Sequence, residues 1–311
     1  MNNRRYYQIA GITIQVDADL PITDATFDPK FRLFEVAEPG DDVIRVHHHF
    51  ELSDIKEEDL GKEVYRRPPW AIYRKDGRWV YLGILPESSD KAIWRVAIFD
   101  DKHTEGHMYG NVGEAFRKGG LGSLTLLPTD QILLARVLAD RQACYLHSAG
   151  VVLNRQGLLF VGHSEAGKST TVKMLRDRAE ILCDDRNIVR RWPAGFRVHG
   201  TWSHGEVPDV SGASAPLRAV LFLEQARENR LVRIEDRRDI LHRLMAFVIK
   251  SLVTVNWWDK TLPLLHDVAA RVPCYVMHFD KSGAVVEALE ELCAAPSRCQ
   301  SSKAREIAVT L

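Results

Sequence analysis

The segment Gly162-His163-Ser164-Glu165-Ala166-Gly167-Lys168-Ser169, followed by Thr170, puts two glycines, a lysine and a hydroxyl at every fixed position of GxxxxGK[ST]. Glycines let the backbone curl until successive N–H groups face one phosphate chain, so this spacing points to a nucleotide's phosphates. In that chemistry Lys168 places positive charge at the β- and γ-phosphates and the Ser169 hydroxyl ligates Mg²⁺. A helix opening at Lys168 would aim its positive end at the same anion. A second feature is Asp184-Asp185, directly after the apolar run Ile181-Leu182-Cys183. That position is the carboxyl end of a strand, the end that faces ligands in α/β sheets. Beside Mg²⁺, one carboxylate can hold the metal while the other takes a proton from a hydroxyl; away from it, the pair is a solvated turn. His147, between Leu146 and Ser148 in an apolar run, is either a core histidine or a third member of this site.

The elements that must position these groups follow from periodicity. Leu158-Leu159-Phe160-Val161 reads as the strand entering the loop, and Ser169-Thr170-Thr171-Val172-Lys173-Met174-Leu175 as the helix leaving it. Residues 144–153 and 157–161 flank Asn154-Arg155-Gln156-Gly157 and read as a buried hairpin. Further strands are expected over 181–183, 188–191, 196–199, 217–224 and 231–234, with CYVMHF (274–279) last. Ile240, Leu241, Leu244, Met245, Val248, Ile249 and Leu252 form one helical stripe over 239–253, and another helix is expected over 284–292. The first hundred residues read mostly as strand, with Lys75-Asp76-Gly77 a hairpin turn. His47-His48-His49 falls in one of these strands, where consecutive residues alternate faces and cannot all converge on a metal. Arg67-Pro68-Pro69 and residues 86–90 punctuate the strands, and Gly119-Gly120-Leu121-Gly122 reads as the joint between domains. Pro128-Thr129-Asp130 starts a helix through Ile132, Leu133, Val137 and Leu138.

At 311 residues the chain is long enough for two domains: a β-rich one over 1–120, and a nucleotide-binding α/β domain of α+β character over 121–296. Residues 297–311 read as a flexible tail. Forty-two basic residues balance forty-two acidic ones, which argues against a nucleic-acid binder. No stretch reaches the roughly 18 apolar residues of a membrane helix, and Met1-Asn2-Asn3-Arg4-Arg5 leads into no signal-peptide core, so a soluble cytoplasmic protein without membrane contact is expected. Five cysteines without a CxxC pair support neither a disulfide framework nor a zinc site; Cys293 and Cys299 fall near the expected tail. No NKxD-type base-reading motif accompanies the loop, and Asp209-Val210-Ser211-Gly212 follows no buried strand, which sets a GTPase aside. Glu224, after Val220-Leu221-Phe222-Leu223, keeps a nucleotide-driven switch in view.

Taken in order, Leu146-His147-Ser148-Ala149-Gly150-Val151, the loop 162–170 and Leu182-Cys183-Asp184-Asp185 resemble the HPr serine kinase/phosphorylase family, which has a phosphoenolpyruvate-carboxykinase-like fold. Gly200-Thr201-Trp202-Ser203-His204-Gly205-Glu206, with residues 216–224, is similar to divergent relatives in bacterial biosynthetic clusters, including kinases of lasso peptides. The resemblance spans about residues 144–234. It implies Mg²⁺-dependent transfer of a phosphoryl group from ATP to a hydroxyl, a Ser or Thr of a peptide or protein, or a small-molecule hydroxyl. Its alternative is a nucleotide-binding regulator or scaffold with little turnover. It further implies His147 in the active site, Lys168 on phosphate, Ser169 on Mg²⁺, Asp184 as proton acceptor and Asp185 as metal or substrate support. Glu206 stands nearest to the family's metal-binding glutamate, and homo-oligomers are familiar in the family. Where HPr kinases carry an Arg-Gly-Leu-Gly-type signature this chain has His199-Gly200-Thr201-Trp202, and Glu165 stands at a usual glycine. An acceptor other than HPr is therefore expected, recognised by the domain over 1–120, whose strands at 43–52 and 70–84 have exposed edges to offer unless they pair elsewhere.

Overall fold

The computed structural model describes residues 3–52, 60–84, 93–125, 130–294 and 307–308. The expected turn at 86–90, the helix start Pro128-Thr129, Cys299 and all of the tail except Ile307 and Ala308 lie outside the described residues. The chain forms two units, Met1–Val137 with Ser251–Val255, and Leu138–Lys250 with Asn256–Leu311.

The first unit is built on a nine-stranded sheet. Its strands are β1 (Arg4–Ile9), β2 (Ile12–Ala18), β3 (Glu35–Val36), β4 (Val43–His49), β5 (Lys62–Arg67), β6 (Trp70–Lys75), β7 (Arg78–Ile84), β8 (Ile93–Phe99) and β9 (Glu105–Tyr109), in the order β3-β1-β2-β4-β9-β8-β7-β6-β5. β2–β4 and β4–β9 are parallel and the other pairings antiparallel. Asp76 (φ 47°) and Gly77 (φ 75°) make the β6–β7 turn, as a two-residue hairpin requires. Tyr7, Phe27, Phe31 and Phe116, the last on α1 (Gly113–Lys118), pack edge to face.

The expected joint at 119–122 is tied into this unit. Gly119 and Gly120 take positive φ so that the Gly120 and Leu121 amides can donate to the Ala25 and Thr26 carbonyls. The division falls after α2 (Gln131–Val137) instead. The fully buried Asp130, just ahead of α2, accepts from Ser123 Oγ (2.9 Å), Leu124 N (3.0 Å) and Thr125 N (2.7 Å), fixing the helix start to the first unit.

In the second unit the strands are β10 (Ala143–Leu153), β11 (Gln156–Val161), β12 (Glu180–Cys183), β13 (Arg186–Trp192), β14 (Gly195–His199), β15 (Ser214–Gln225), β16 (Arg230–Arg233), β17 (Cys274–Phe279) and β18 (Ile307–Ala308). The helices are α3 (Lys168–Leu175), α4 (Arg237–Phe247), α5 (Trp257–Arg271) and α6 (Val285–Ala294). The continuous apolar runs arise because both faces of the central strands are covered. From β10, β11 and β15, residues Leu146, Leu159, Val161, Val220 and Phe222 pack with Ile240, Leu244, Leu265 and Val268 of α4 and α5. Their alternates Val151, Leu158, Phe160, Ala219 and Leu221 pack with Val172, Leu175, Val285 and Leu289 of α3 and α6. Cys293 is buried in that second core rather than placed in a tail, because it lies on the apolar face of α6. Ile307 and Ala308, from the expected tail, pair with β16.

The stripe expected over 239–253 ends as a helix at Phe247. Beyond it Val248 bridges Leu146, and the Ile249 amide donates to the Tyr145 carbonyl, so the chain joins β10 instead of continuing to coil. Helix α5 was not expected from sequence, since Pro263 stands inside it.

Two buried histidines make both units acid-sensitive. His48 Nε2 meets the Leu124 carbonyl at 2.7 Å, while its Nδ1 is buried without a partner, so a second ring proton has no acceptor. Burial pushes its pKa down to about 4. His199 Nε2 accepts from Trp192 Nε1 at 3.1 Å, and burial with Arg197 and Arg190 pushes it down to about 4 as well. Below the unfolded value of about 6.5 the unfolded chain binds more protons than the folded one. Stability is therefore intact above about 6.5 and lost as pH falls toward 4, by about 2 kcal/mol per histidine at pH ~5. Urea unfolding at about pH 5 and pH 7.5 should show this loss in both units; equal midpoints would contradict it.

Candidate active site

β11 feeds directly into the loop 162–167, and α3 begins at Lys168. β11, β15 and β17 run parallel, so their carboxyl ends gather at this loop. Gly167 caps α3 at φ 105°, and no side chain caps the helix. A Cβ on Gly167 would stand 2.6 Å from the Phe279 ring, and one on Gly162 2.7 Å from Ala166 Cβ. Both glycines are thus required by the loop's fold on itself. Glu165 holds φ 69°, the left-handed region in which a glycine would be unstrained, and its carbonyl accepts from Gln225 Nε2 at the end of β15 (2.8 Å). His163 and Ser164 are exposed and Thr170 half-buried along the same stretch.

The Lys168 side chain folds inward, with Nζ donating to the carbonyls of Gly162 (2.8 Å) and His163 (3.0 Å). Burial lowers its pKa, and Asp185 and Asp184 oppose that shift. Asp184, only 2% exposed at the end of β12, accepts from Ser169 Oγ (2.9 Å), Gly205 N (2.6 Å) and Val207 N (2.9 Å). The loop hydroxyl and the first carboxylate therefore meet. Gly205 is needed here, since a Cβ would crowd both Asp184 oxygens at 3.3 Å.

Asp185 is engaged differently. Its Oδ2 pairs with Arg186 (2.8 Å) and accepts from Ser203 Oγ (3.2 Å), while its Oδ1 lies 3.6 Å from His147 Nε2. His147 is half-buried on β10, and its neighbour Ser148 donates its amide to the Asp185 carbonyl at 2.9 Å, which sets β10 against the carboxylate pair. Burial, then Lys168, holds His147 below its ordinary pKa against the pull of Asp185.

His147, Lys168, Ser169, Asp184 and Asp185 are thus brought together. Glu206 is not: its exposed carboxylate pairs with Lys173 (3.3 Å), and only its neighbours' amides reach Asp184. Glu224 pairs with Arg243 (3.5 Å). Sequence reasoning missed Arg186 and Ser203 as partners of Asp185, and the amides of 205 and 207 as clamps on Asp184. Arg186 was legible only as the residue after Asp185, and the clamp depends on a loop that carries no regular element.

The family described as SynChlorMet cassette protein ScmC matches residues 129–294. Among solved structures, the HPr(Ser) kinase/phosphatase from Coxiella burnetii is similar at 9% identity, covering 48% of this chain and 87% of its own. Its TM-score is 0.28, an overlap that carries no inference about fold or activity. No curated protein matches.

Proposed function

The chain belongs to the SynChlorMet cassette protein ScmC family, and we propose that it is an Mg²⁺-dependent kinase passing the γ-phosphoryl group of ATP to a hydroxyl, a Ser or Thr of a peptide or protein. The observation that carries this reading is the meeting of a phosphate loop's lysine and serine with two differently engaged carboxylates. The residues present fit the implied cofactors: Ser169 Oγ and Asp184 Oδ2 are hard oxygen donors 2.9 Å apart, suited to Mg²⁺. The uncapped N-terminus of α3 and the buried Lys168 suit a polyphosphate. Bound Mg²⁺ would offset the charge on the migrating group.

In this reading Asp184 and Ser169 hold the metal and Asp185 takes the acceptor's proton, the reverse of the order implied by family resemblance. Three donors already occupy Asp184. Asp185 Oδ1 faces His147 Nε2 at 3.6 Å and accepts no hydrogen bond among the described residues, while Arg186 and Ser203 fix Oδ2 and so orient the carboxylate. Selection of an acceptor falls to the first unit; the strands expected to offer edges, at 43–52 and 70–84, are β4, β6 and β7, each paired on both sides, so the edge to which an extended peptide can add is the exposed β5 instead.

His147 tunes the base. Neutral, it leaves Asp185 Oδ1 free; protonated, it presents Nε2–H to that oxygen and ties it up. Turnover should therefore fall on the acid side, below the ordinary histidine value of about 6.5. His147→Ala should move the acid limb lower. A pH–rate profile that the substitution leaves in place would return His147 to the core.

The reading is tested with γ-labelled ATP, Mg²⁺ and arrayed Ser/Thr peptides. Label should appear on hydroxyl side chains with the wild-type protein and not with Lys168→Ala. Equal labelling by both would refute it.

A further inference from the structure

Three neighbouring strands of the first unit place nitrogen and oxygen donors at one end of the sheet. β2 and β4 pair in parallel with Ala18 opposite His48, and the Asp19 amide, one residue on, donates to the His48 carbonyl (3.1 Å). On β4, His48 points inward and is fully buried, so His47 and His49 share the opposite face. Parallel pairing with β9 sets His107 opposite His47. The Asp19 carboxylate bridges the two β4 rings: Oδ1 lies 2.6 Å from His47 Nε2, and Oδ2 lies 2.9 Å from His49 Nδ1. The rings stack at 4.4 Å, and the donor atoms of all three residues fall within 4.8 Å of one another. Tetrahedral Zn²⁺ with bonds of about 2.0–2.1 Å separates its ligands by roughly 3.3 Å, so only small side-chain adjustments are needed.

The surroundings of His49 supply a second observation. Its other nitrogen, Nε2, faces His107 Nδ1 at 3.1 Å. A metal on Nδ1 requires the tautomer with its proton on Nε2, and His107 Nδ1 is the acceptor for that proton, the outer contact that metal-bound imidazoles commonly keep.

We propose that Asp19, His47 and His49 form a binding site for one divalent cation of the zinc type, with His107 as the outer partner of His49. The two-imidazole, one-carboxylate set suits such an ion and is a poor match for Mg²⁺, which prefers oxygen. Three protein ligands, two on β4 and one directly after β2, leave a fourth position to water or a substrate atom. Neither the loop 162–169 nor Asp184 takes part, so the inference stands independently of the proposed kinase activity.

The test is calorimetric titration of the full-length protein with Zn²⁺, without nucleotide, alongside Asp19→Asn, His47→Gln and His107→Gln. The wild-type chain should bind one equivalent. Asp19→Asn and His47→Gln should weaken that binding by about 100-fold or more, and His107→Gln by about 10-fold, with far-UV circular dichroism unchanged. Co²⁺ bound to the wild-type protein should give tetrahedral d–d bands without thiolate charge transfer, a readout that needs no variant. Absence of tight Zn²⁺ binding, binding unchanged in Asp19→Asn and His47→Gln, or a thiolate band would each overturn the proposal.

Discussion

Lys168→Ala is expected to lower phosphoryl transfer by at least about 10²–10³ and to weaken Mg·ATP binding. The lysine is 8% exposed and held against two loop carbonyls, so its charge is already positioned and little reorganisation is needed as negative charge develops. Alanine removes that charge and also leaves the Gly162 and His163 carbonyls without this donor, which loosens the loop. The lost binding should therefore appear in titrations with ADP as well as ATP, while circular dichroism stays unchanged. Unchanged affinity and turnover in the variant would remove the phosphate loop from the chemistry.

Asp185→Asn is expected to cost about 10²–10⁴ in kcat while Mg·ATP affinity survives, because the amide keeps the shape but cannot take the acceptor's proton. Asp184→Asn should behave differently. An amide nitrogen there would face the Gly205 or Val207 amide, or the Ser169 hydroxyl, leaving a buried donor unpaired at about 1–3 kcal/mol. It should therefore lower stability, weaken Mg·ATP binding and raise the Mg²⁺ requirement. Single-turnover rates with calorimetric affinities separate the two variants. If Asp184→Asn binds normally but is inert while Asp185→Asn turns over, the roles are those implied by family resemblance.

The candidate site was legible wherever local spacing carries it. The loop needs glycines at 162 and 167, and an apolar strand before and a helix after the loop are visible in the run itself. Most strands were readable for the same reason, being apolar on both faces or broken by turns such as Asn154-Arg155, with φ of 50° and 63°. What the sequence hid depends on distant pairing. Asp184 and Asp185 look alike in sequence, and their difference arises from residues 203–207 returning to β12 and from Arg186 at the start of β13. Helix α5 was masked by Pro263, although Thr261, Leu264, Leu265, Val268 and Ala269 form its buried stripe. Alternation along β4 excludes a three-histidine site, as the strand pattern implies. It does not reveal that His47 and His49 meet Asp19, because that depends on the parallel register of β2 with β4.

The measurement closest to the central claim is the fate of the γ-phosphoryl group during incubation of γ-labelled ATP and Mg²⁺ with the full-length protein and arrayed Ser/Thr peptides. Release of label to water serves as a readout that needs no particular acceptor. The expected result is label leaving ATP for a hydroxyl or for water with the wild-type chain, and staying on ATP with Asp185→Asn. Label that stays on tightly bound ATP with the wild-type protein would contradict phosphoryl transfer and leave a nucleotide-binding regulator in its place.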